Sequence, residues 1–120
     1  MAKILIVDDE PLTVEMLGTF LKVSGHEPIG ALSFKQTWDR LAYEEPDVIL
    51  LDIMLPDGNG LDICRQLRAD PRWADVPVIM ISAHAPPMTA EAQAAGANSY
   101  LAKPIKLDAL RNALQEVGIR

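Results

Sequence analysis

Short runs of consecutive apolar residues recur along the chain and predict buried β-strands. The clearest lie within residues 3–7, 48–51 and 78–81, each with four adjacent apolar residues. A run of this length is typical of a strand that is covered on both faces of a parallel sheet. Residues 99–102 predict another strand. Residues 27–31 predict a weaker edge strand, because this segment contains proline and glycine.

Between these runs, hydrophobic residues recur every three or four positions, as on the buried face of an amphipathic helix. Ser33 with Gln36 three residues later is the pattern of a helix N-terminus, and Gly96 and Gly118 suit helix C-termini. The predicted helices run from Pro11 to about Gly25, from Ser33 to about Tyr43, across Leu61 to Leu67, from Met88 to Ala95, and from Leu107 to Val117.

The strict alternation of strands and helices decides the fold class. Short links between a strand, a helix and the next strand require parallel strands with right-handed crossovers and helices on both faces of the sheet. We therefore expect an α/β fold, an open doubly wound sheet of five parallel strands and five helices. The length of 120 residues suits one domain spanning residues 1–120, with no output domain in this chain.

Charge and cysteine content narrow the function classes. Seventeen acidic and 11 basic residues give a net charge of −6, and no basic run favours direct binding to nucleic acid or to a membrane surface. Cys64 is the only cysteine and lies in a helical pattern, which predicts a buried thiol in a reducing compartment. No segment is long enough to span a membrane, so we expect a cytoplasmic protein.

Polar residues follow four of the five predicted strands. Asp8 and Asp9 follow the first strand, Asp52 the third, Ser82 the fourth and Lys103 the fifth. In open α/β sheets, ligands bind outside the carboxyl ends of the strands. Each residue alone could be a solvated acid, a turn serine or a surface lysine, and Asp52 could equally cap a turn. Their shared placement at one edge of the sheet favours a binding site.

The residue types at this edge indicate which ligands the site takes. Three neighbouring carboxylates repel one another unless protons or a cation neutralise them. A site of oxygen ligands without thiol or imidazole favours a hard ion, Mg²⁺ above others. Ser82 and Lys103 then suit an anion with several oxygens. A phosphoryl group that bridges the metal and the lysine satisfies the whole set.

Five motifs follow one another along the chain. They are Asp8-Asp9, the strand ending at Asp52 with its loop Leu55-Pro56-Asp57-Gly58-Asn59-Gly60, Ser82-Ala83, Gly96-Ala97 followed by Tyr100, and Lys103-Pro104. In this order, over Lys3 to Val117, they resemble those of the receiver domain of two-component response regulators. The resemblance implies the flavodoxin-like strand order 2-1-3-4-5, which makes the first and third strands neighbours.

The same resemblance implies a mechanism. Asp52 is the nucleophile that accepts a phosphoryl group from the phosphohistidine of a sensor histidine kinase or a phosphotransfer protein. Asp9, Asp52 and the Met54 carbonyl are the implied ligands of Mg²⁺, or of Mn²⁺ as the alternative, and Asp8 acts through water. The chain would not be a conventional enzyme, although it would catalyse its own phosphotransfer and a slow autodephosphorylation.

Further residues receive roles from the resemblance. Lys103, the Ser82 hydroxyl and the Ala83 N–H would contact phosphoryl oxygens, and the bond before Pro104 would be cis. Tyr100 would move from an exposed position into space that Ser82 leaves, although it could instead be an ordinary half-buried aromatic.

This switch would alter the face formed by the fourth helix, fifth strand and fifth helix, which would bind a downstream protein or a C-terminal output domain. A phosphorylation-dependent dimer is a further expectation. The pair Asn98-Ser99, where many DNA-binding members carry two acids, weakens the case for their charged dimer.

Two histidines remain outside this scheme. We expect His26, next to Gly25, to be solvated. His84 could be an ordinary surface histidine or could tune access of water to the acyl phosphate.

Other function classes remain open. A haloacid-dehalogenase-type phosphatase uses the same residue types, but its nucleophile follows the first strand in an Asp-x-Asp motif. A degenerate receiver would bind proteins independently of phosphorylation, which the full set of site residues disfavours. A flavin-binding relative is disfavoured by the acidic first loop, Asp8 to Pro11, where a phosphate cradle is rich in glycine or hydroxyl groups.

Overall fold

The computed structural model describes residues 1–119 and contains a five-stranded sheet flanked by five helices. A short hairpin, with two residues in each of its strands, lies between the third strand of the sheet and the third helix. The elements are β1 (Lys3–Val7), α1 (Pro11–Val23), β2 (Glu27–Ala31), α2 (Phe34–Tyr43), β3 (Val48–Asp52), β4 (Met54–Leu55), β5 (Gly58–Asn59), α3 (Gly60–Ala69), β6 (Val78–Ser82), α4 (Thr89–Ala95), β7 (Ser99–Ala102) and α5 (Leu107–Glu116).

All neighbouring strands of the main sheet are parallel, in the order β2-β1-β3-β6-β7. This confirms the predicted doubly wound fold and its strand order. Every residue of β3 and β6 is buried, as their continuous apolar runs predict. The two edge strands, β2 and β7, are only partly buried.

Two hydrophobic clusters cover the two faces of the sheet. Alternate residues of each strand contribute to opposite clusters, since successive side chains point to opposite faces of a strand. Leu5 and Val7 pack with α2, α3 and α4, whereas Ile4 and Ile6 pack with α1 and α5. The sheet thereby lies between two layers of helices. Because the helices cover its faces and not the carboxyl ends of its strands, polar groups can lie at those ends.

The helix boundaries differ slightly from the predicted ones. Helix α1 ends at Val23, two residues before Gly25, and α4 begins at Thr89 rather than Met88. The predicted cap of α2 is present, with the Gln36 N–H donating to Ser33 Oγ at 3.0 Å. Gly96 caps the C-terminus of α4, directly after Ala95, and its φ of 103° lies in the left-handed region that favours glycine. No helix among residues 1–119 has both the length and the apolar character needed to cross a membrane.

Arg68 braces the part of the fold around α4 and β7. Its guanidinium donates to the carbonyls of Val76 at 2.6 Å and Gly96 at 2.9 Å, and to Asn98 Oδ1 at 3.0 Å. The same Asn98 oxygen accepts the Val78 N–H at 2.9 Å. The Asn98 side chain is therefore engaged within the domain.

One histidine prediction is wrong and one cysteine prediction is confirmed. His26 is only 8% exposed, and its Nδ1 accepts the backbone N–H of Ala2 at 3.0 Å, so it is not solvated. The long separation between these partners hides this contact from a local reading of the sequence. Cys64 is buried, as expected, and burial raises the pKa of its thiol.

Candidate functional site

The carboxylates predicted at the sheet edge do come together. Strands β1 and β3 are neighbours, which places Asp8 and Asp9 beside Asp52. Carboxylate oxygens from the three residues all lie within 4.8 Å of one another. Asp8 and Asp52 are 0% and 4% exposed, whereas Asp9 is exposed to solvent. The cluster therefore has two buried acids and one acid at its rim.

Lys103 bridges the two buried carboxylates. Its Nζ lies 2.7 Å from Asp8 Oδ2 and 2.9 Å from Asp52 Oδ2. The Lys103 N–H donates to the Ser82 carbonyl at 2.8 Å, which continues the pairing of β7 with β6. The bond between Lys103 and Pro104 is cis, as is the bond between Ala85 and Pro86.

Burial and charge shift the pKa values of this cluster. Burial raises the pKa of Asp52 above its ordinary value, and the nearby Asp8 adds to this effect, although Lys103 opposes it. For Lys103, burial alone would lower the pKa, but Asp8 and Asp52 together raise it. One ammonium group thus faces two buried carboxyl groups, and burial disfavours the ionised form of Asp52.

The donor set fits a divalent cation. With all three acids ionised, Lys103 leaves two negative charges without compensation. Asp8 Oδ2 is buried, and although Lys103 Nζ is close, no described residue forms a well-aligned hydrogen bond to this oxygen. Oxygen ligands of this kind suit Mg²⁺ or Mn²⁺.

The loop after Asp52 folds back tightly on the end of β3. The Met54 N–H lies 3.3 Å from Asp52 Oδ1, and the Gly60 N–H donates to the Ile53 carbonyl at 2.7 Å. A Cβ atom at Gly60 would overlap the Asp52 carbonyl oxygen. The turn predicted from the sequence is present at Pro56 and Asp57, and it joins two short antiparallel strands, β4 and β5, that the sequence does not predict. Glycine at position 60 is required by this close approach.

Ser82 lies at the end of β6 and is 1% exposed. Its Oγ accepts the His84 N–H at 3.0 Å, and His84 Nδ1 lies 2.9 Å from the Pro86 carbonyl oxygen. Ala83, between them, is exposed. The Ser82 hydroxyl thus lies at the edge of the sheet that carries Asp52. Its hydrogen bond with the His84 N–H links the end of β6 to the loop that follows.

Tyr100 does not occupy the exposed position expected from the sequence. It is half-buried and packs against the cluster formed with α2, α3 and α4. Its hydroxyl oxygen accepts the Met88 N–H at 3.0 Å. The expectation of an exposed starting position is therefore wrong, and the alternative of a half-buried edge aromatic matches the observed burial.

Asp57 makes a contact that the sequence analysis did not predict. Its two carboxylate oxygens accept the N–H groups of Phe34 and Lys35, at 2.7 and 3.0 Å. In the sequence, Asp57 is recognisable only as part of a turn-forming loop. No local pattern could indicate this contact, because the partners lie 23 and 22 positions away in the chain.

Comparisons with known proteins agree on one family. The family model of the response regulator receiver domain matches residues 4–115. The chain is 36% identical over 116 residues to the KDP operon transcriptional regulatory protein KdpE of Escherichia coli, which covers 96% of this chain and 50% of that protein. It is 37% identical over 105 residues to the DNA-binding response regulator MtrA of Mycolicibacterium smegmatis, which covers 87% and 45%. The chain thus spans half or less of the length of these curated relatives.

Solved structures extend the likeness to three dimensions. The chemotaxis response regulator CheY4 of Vibrio cholerae superposes with a TM-score of 0.89 at 28% identity, covering 98% of each chain. The receiver domain of the Francisella response regulator 1452 superposes with a TM-score of 0.88 at 25% identity, covering 98% of this chain and 96% of that one. The likeness covers the whole sheet and both helical layers.

Proposed function

The chain belongs to the family of response regulator receiver domains, and from this premise we propose that Asp52 accepts a phosphoryl group in two-component signalling. The observation that carries the proposal is the position of the Asp52 carboxylate. It lies at the end of β3, 2.9 Å from Lys103 Nζ and next to two further acids. A buried carboxylate with a cation on one side and metal ligands on the other suits phosphoryl transfer.

The donor in this proposal is the phosphohistidine of a sensor histidine kinase or of a phosphotransfer protein. An Asp52 carboxylate oxygen forms a bond to phosphorus as the N–P bond breaks, and the freed imidazole nitrogen takes a proton from solvent. Lys103 compensates charge on the phosphoryl oxygens. The Ser82 hydroxyl and the Ala83 N–H donate to others. The slow loss of the phosphoryl group to water returns Asp52 to its carboxylate.

The metal site in this proposal is Mg²⁺-binding, with Mn²⁺ as the alternative ion. Asp9, Asp52 and the Met54 carbonyl are its direct ligands, and Asp8 acts through water. When bound, the ion neutralises charge that develops during transfer. The proposal is supported by the position of all three acids, since Asp8, Asp9 and Asp52 each have a carboxylate oxygen within the same 4.8 Å cluster.

The output of the switch lies at the face formed by α4, β7 and α5. Phosphorylation draws the Ser82 hydroxyl toward the phosphoryl group, and the Tyr100 contact with the Met88 N–H then reports the change to the loop before α4. A downstream protein, a C-terminal output domain or a second phosphorylated copy binds this face. Relatives that are named DNA-binding regulators support an output domain in longer proteins.

The test is intact-mass analysis after incubation with acetyl phosphate or phosphoramidate and Mg²⁺. We expect the mass of one added phosphoryl group on the wild-type chain and none on Asp52→Asn. Addition to both proteins would place the phosphoryl group elsewhere, and addition to neither would favour a degenerate receiver. Repeated turnover of a phosphoester substrate would instead favour the phosphatase alternative, whose nucleophile would follow β1.

A further inference from the structure

The far end of the β4–β5 hairpin is fastened to a helix that contributes no residue to the phosphoryl site. Asp57, between the two short strands, uses both carboxylate oxygens to accept the N–H groups of Phe34 and Lys35 in the first turn of α2. The distances of 2.7 and 3.0 Å are those of well-formed hydrogen bonds. The N–H groups of Lys35 and Phe34 lower the pKa of Asp57 despite partial desolvation, so its charged form is favoured.

Packing reinforces this attachment. Gly58 lies so close to the Phe34 ring that a Cβ atom would overlap it. At the other end of the loop, the Gly60 N–H donates to the Ile53 carbonyl, and Gly60 contacts the backbone of Asp52. The hairpin is therefore held at both ends, by the end of β3 and by α2.

The helix does not depend on Asp57 for its cap. Ser33 already accepts the Gln36 N–H at 3.0 Å, and the Gln36 side chain accepts the Leu32 N–H at 2.8 Å. The hairpin, by contrast, has only two pairs of facing residues, Met54 with Asn59 and Leu55 with Gly58. So short a hairpin is marginal on its own in water. The structural effect of the Asp57 contact therefore falls mainly on the hairpin.

We propose that Asp57 is a positioning residue for the metal site, because it ties the hairpin that carries the Met54 carbonyl to the first turn of α2. The inference rests on the proposed function, in which that carbonyl is a ligand of the ion. Groups that orient metal ligands from outside the coordination sphere contribute substantially to metal affinity. The coupling is reciprocal, so a bound ion also strengthens the hydrogen bonds from the Phe34 and Lys35 N–H groups to Asp57.

The experiment is a titration of the metal-free, unphosphorylated chain with Mn²⁺, followed by electron paramagnetic resonance of the free ion. We expect Asp57→Ala to weaken Mn²⁺ binding by about tenfold. Asp57→Asn, which keeps the shape and one good acceptor, should lie between Asp57→Ala and the wild type. Ser33→Ala is the matched control, because it removes a cap from the same helix without touching the hairpin, and its affinity should equal that of the wild type.

A second measurement uses amide hydrogen exchange with Mg²⁺. Adding the ion should slow exchange of the Phe34 and Lys35 amides in the wild type and in Ser33→Ala, but not in Asp57→Ala. Equal affinity of Asp57→Ala and the wild type would overturn this inference and leave the proposed function intact. An equal loss in Asp57→Ala and Ser33→Ala would also overturn it, since helix stability alone would then explain the loss. Absence of Mn²⁺ binding by the wild type would overturn both the inference and the proposed metal site.

Discussion

Replacement of Lys103 by methionine tests how far its ammonium group stabilises the fold through its contacts with two buried carboxylates. Methionine keeps an unbranched apolar stem but removes the charge that lies 2.7 Å from Asp8 Oδ2 and 2.9 Å from Asp52 Oδ2. The perturbation therefore leaves two buried carboxylates without their cation. Lys106→Met is the matched control, because Lys106 is exposed and lies only three residues further along the chain.

The distances set the size of the expected effect. At an effective dielectric constant of about 20, each of the two contacts corresponds to an attraction of about 6 kcal/mol. The cost of removing the charges from water offsets most of that attraction. Breaking a buried pair by removing one partner typically costs about 3 to 5 kcal/mol. We expect Lys103→Met to lower the free energy of unfolding by about 3 kcal/mol at neutral pH without metal, and Lys106→Met by less than about 0.5 kcal/mol.

The assay is urea unfolding of both variants and the wild type, with and without Mg²⁺. The pKa of Lys103 is raised in the folded state, so its contribution is complete below the ordinary lysine pKa. It is lost only as the pH rises through the higher folded value. The deficit of Lys103→Met should therefore be present at neutral pH. It should narrow when Mg²⁺ is added or when acid protonates Asp52, whose pKa is raised. Equal stability of Lys103→Met and Lys106→Met in metal-free buffer would refute this reasoning.

Three further expectations follow from single contacts. The pKa of Asp52 is raised on folding, so the folded chain binds more protons than the unfolded chain between the two pKa values, and stability falls as the pH rises through that window. Asp52→Asn should therefore be more stable than the wild type at neutral pH without metal, as measured by urea unfolding from mildly acidic to neutral pH; a lower stability would contradict it. Arg68→Met should lower the free energy of unfolding by about 2 kcal/mol, because charge-assisted bonds to partly buried carbonyls are broken. Arg65→Met, which loses only an exposed ion pair, should lower the free energy of unfolding by less than about 0.5 kcal/mol. Similar losses of stability in Arg68→Met and Arg65→Met would contradict the stabilising role of Arg68. Tyr100→Phe should lose about 1 kcal/mol and speed exchange of the Met88 amide, since that N–H loses its acceptor; unchanged exchange would contradict this.

The histidine and tyrosine predictions failed for the same physical reason. A glycine neighbour suggested a solvated loop for His26, but its Nδ1 accepts an N–H from Ala2 at the start of the chain. The family resemblance implies a solvent-exposed Tyr100, but its hydroxyl oxygen accepts the Met88 N–H from another segment. In both cases the deciding hydrogen bond joins residues that are distant in sequence. Neither the glycine beside His26 nor the family resemblance that implied an exposed Tyr100 indicates such a contact.

Local chemistry along the chain was sufficient to predict the sheet and the set of residues at its carboxyl edge. Apolar runs mark the buried strands, because only side chains without polar groups tolerate burial on both faces. Parallel strands end at one edge of the sheet, so the sequence predicts that Asp8, Asp9, Asp52, Ser82 and Lys103 share that edge. The neighbouring positions of β1 and β3, which came from the family resemblance, are confirmed.

Only the tertiary structure shows which of these residues are buried, which are exposed and which partners they contact. The pattern Asp8-Asp9 does not show which of the two acids is buried. In the structure, Asp8 is fully buried against Lys103 and Asp9 is exposed. The turn-rich loop after Asp52 gave no sign that Asp57 would reach α2. The burial of a side chain, the sharing of the Lys103 ammonium group by two carboxylates and the contacts between distant segments all depend on how the helices pack on the sheet. A sequence pattern specifies which groups reach the site, and packing determines which of them lose water and which partners they meet.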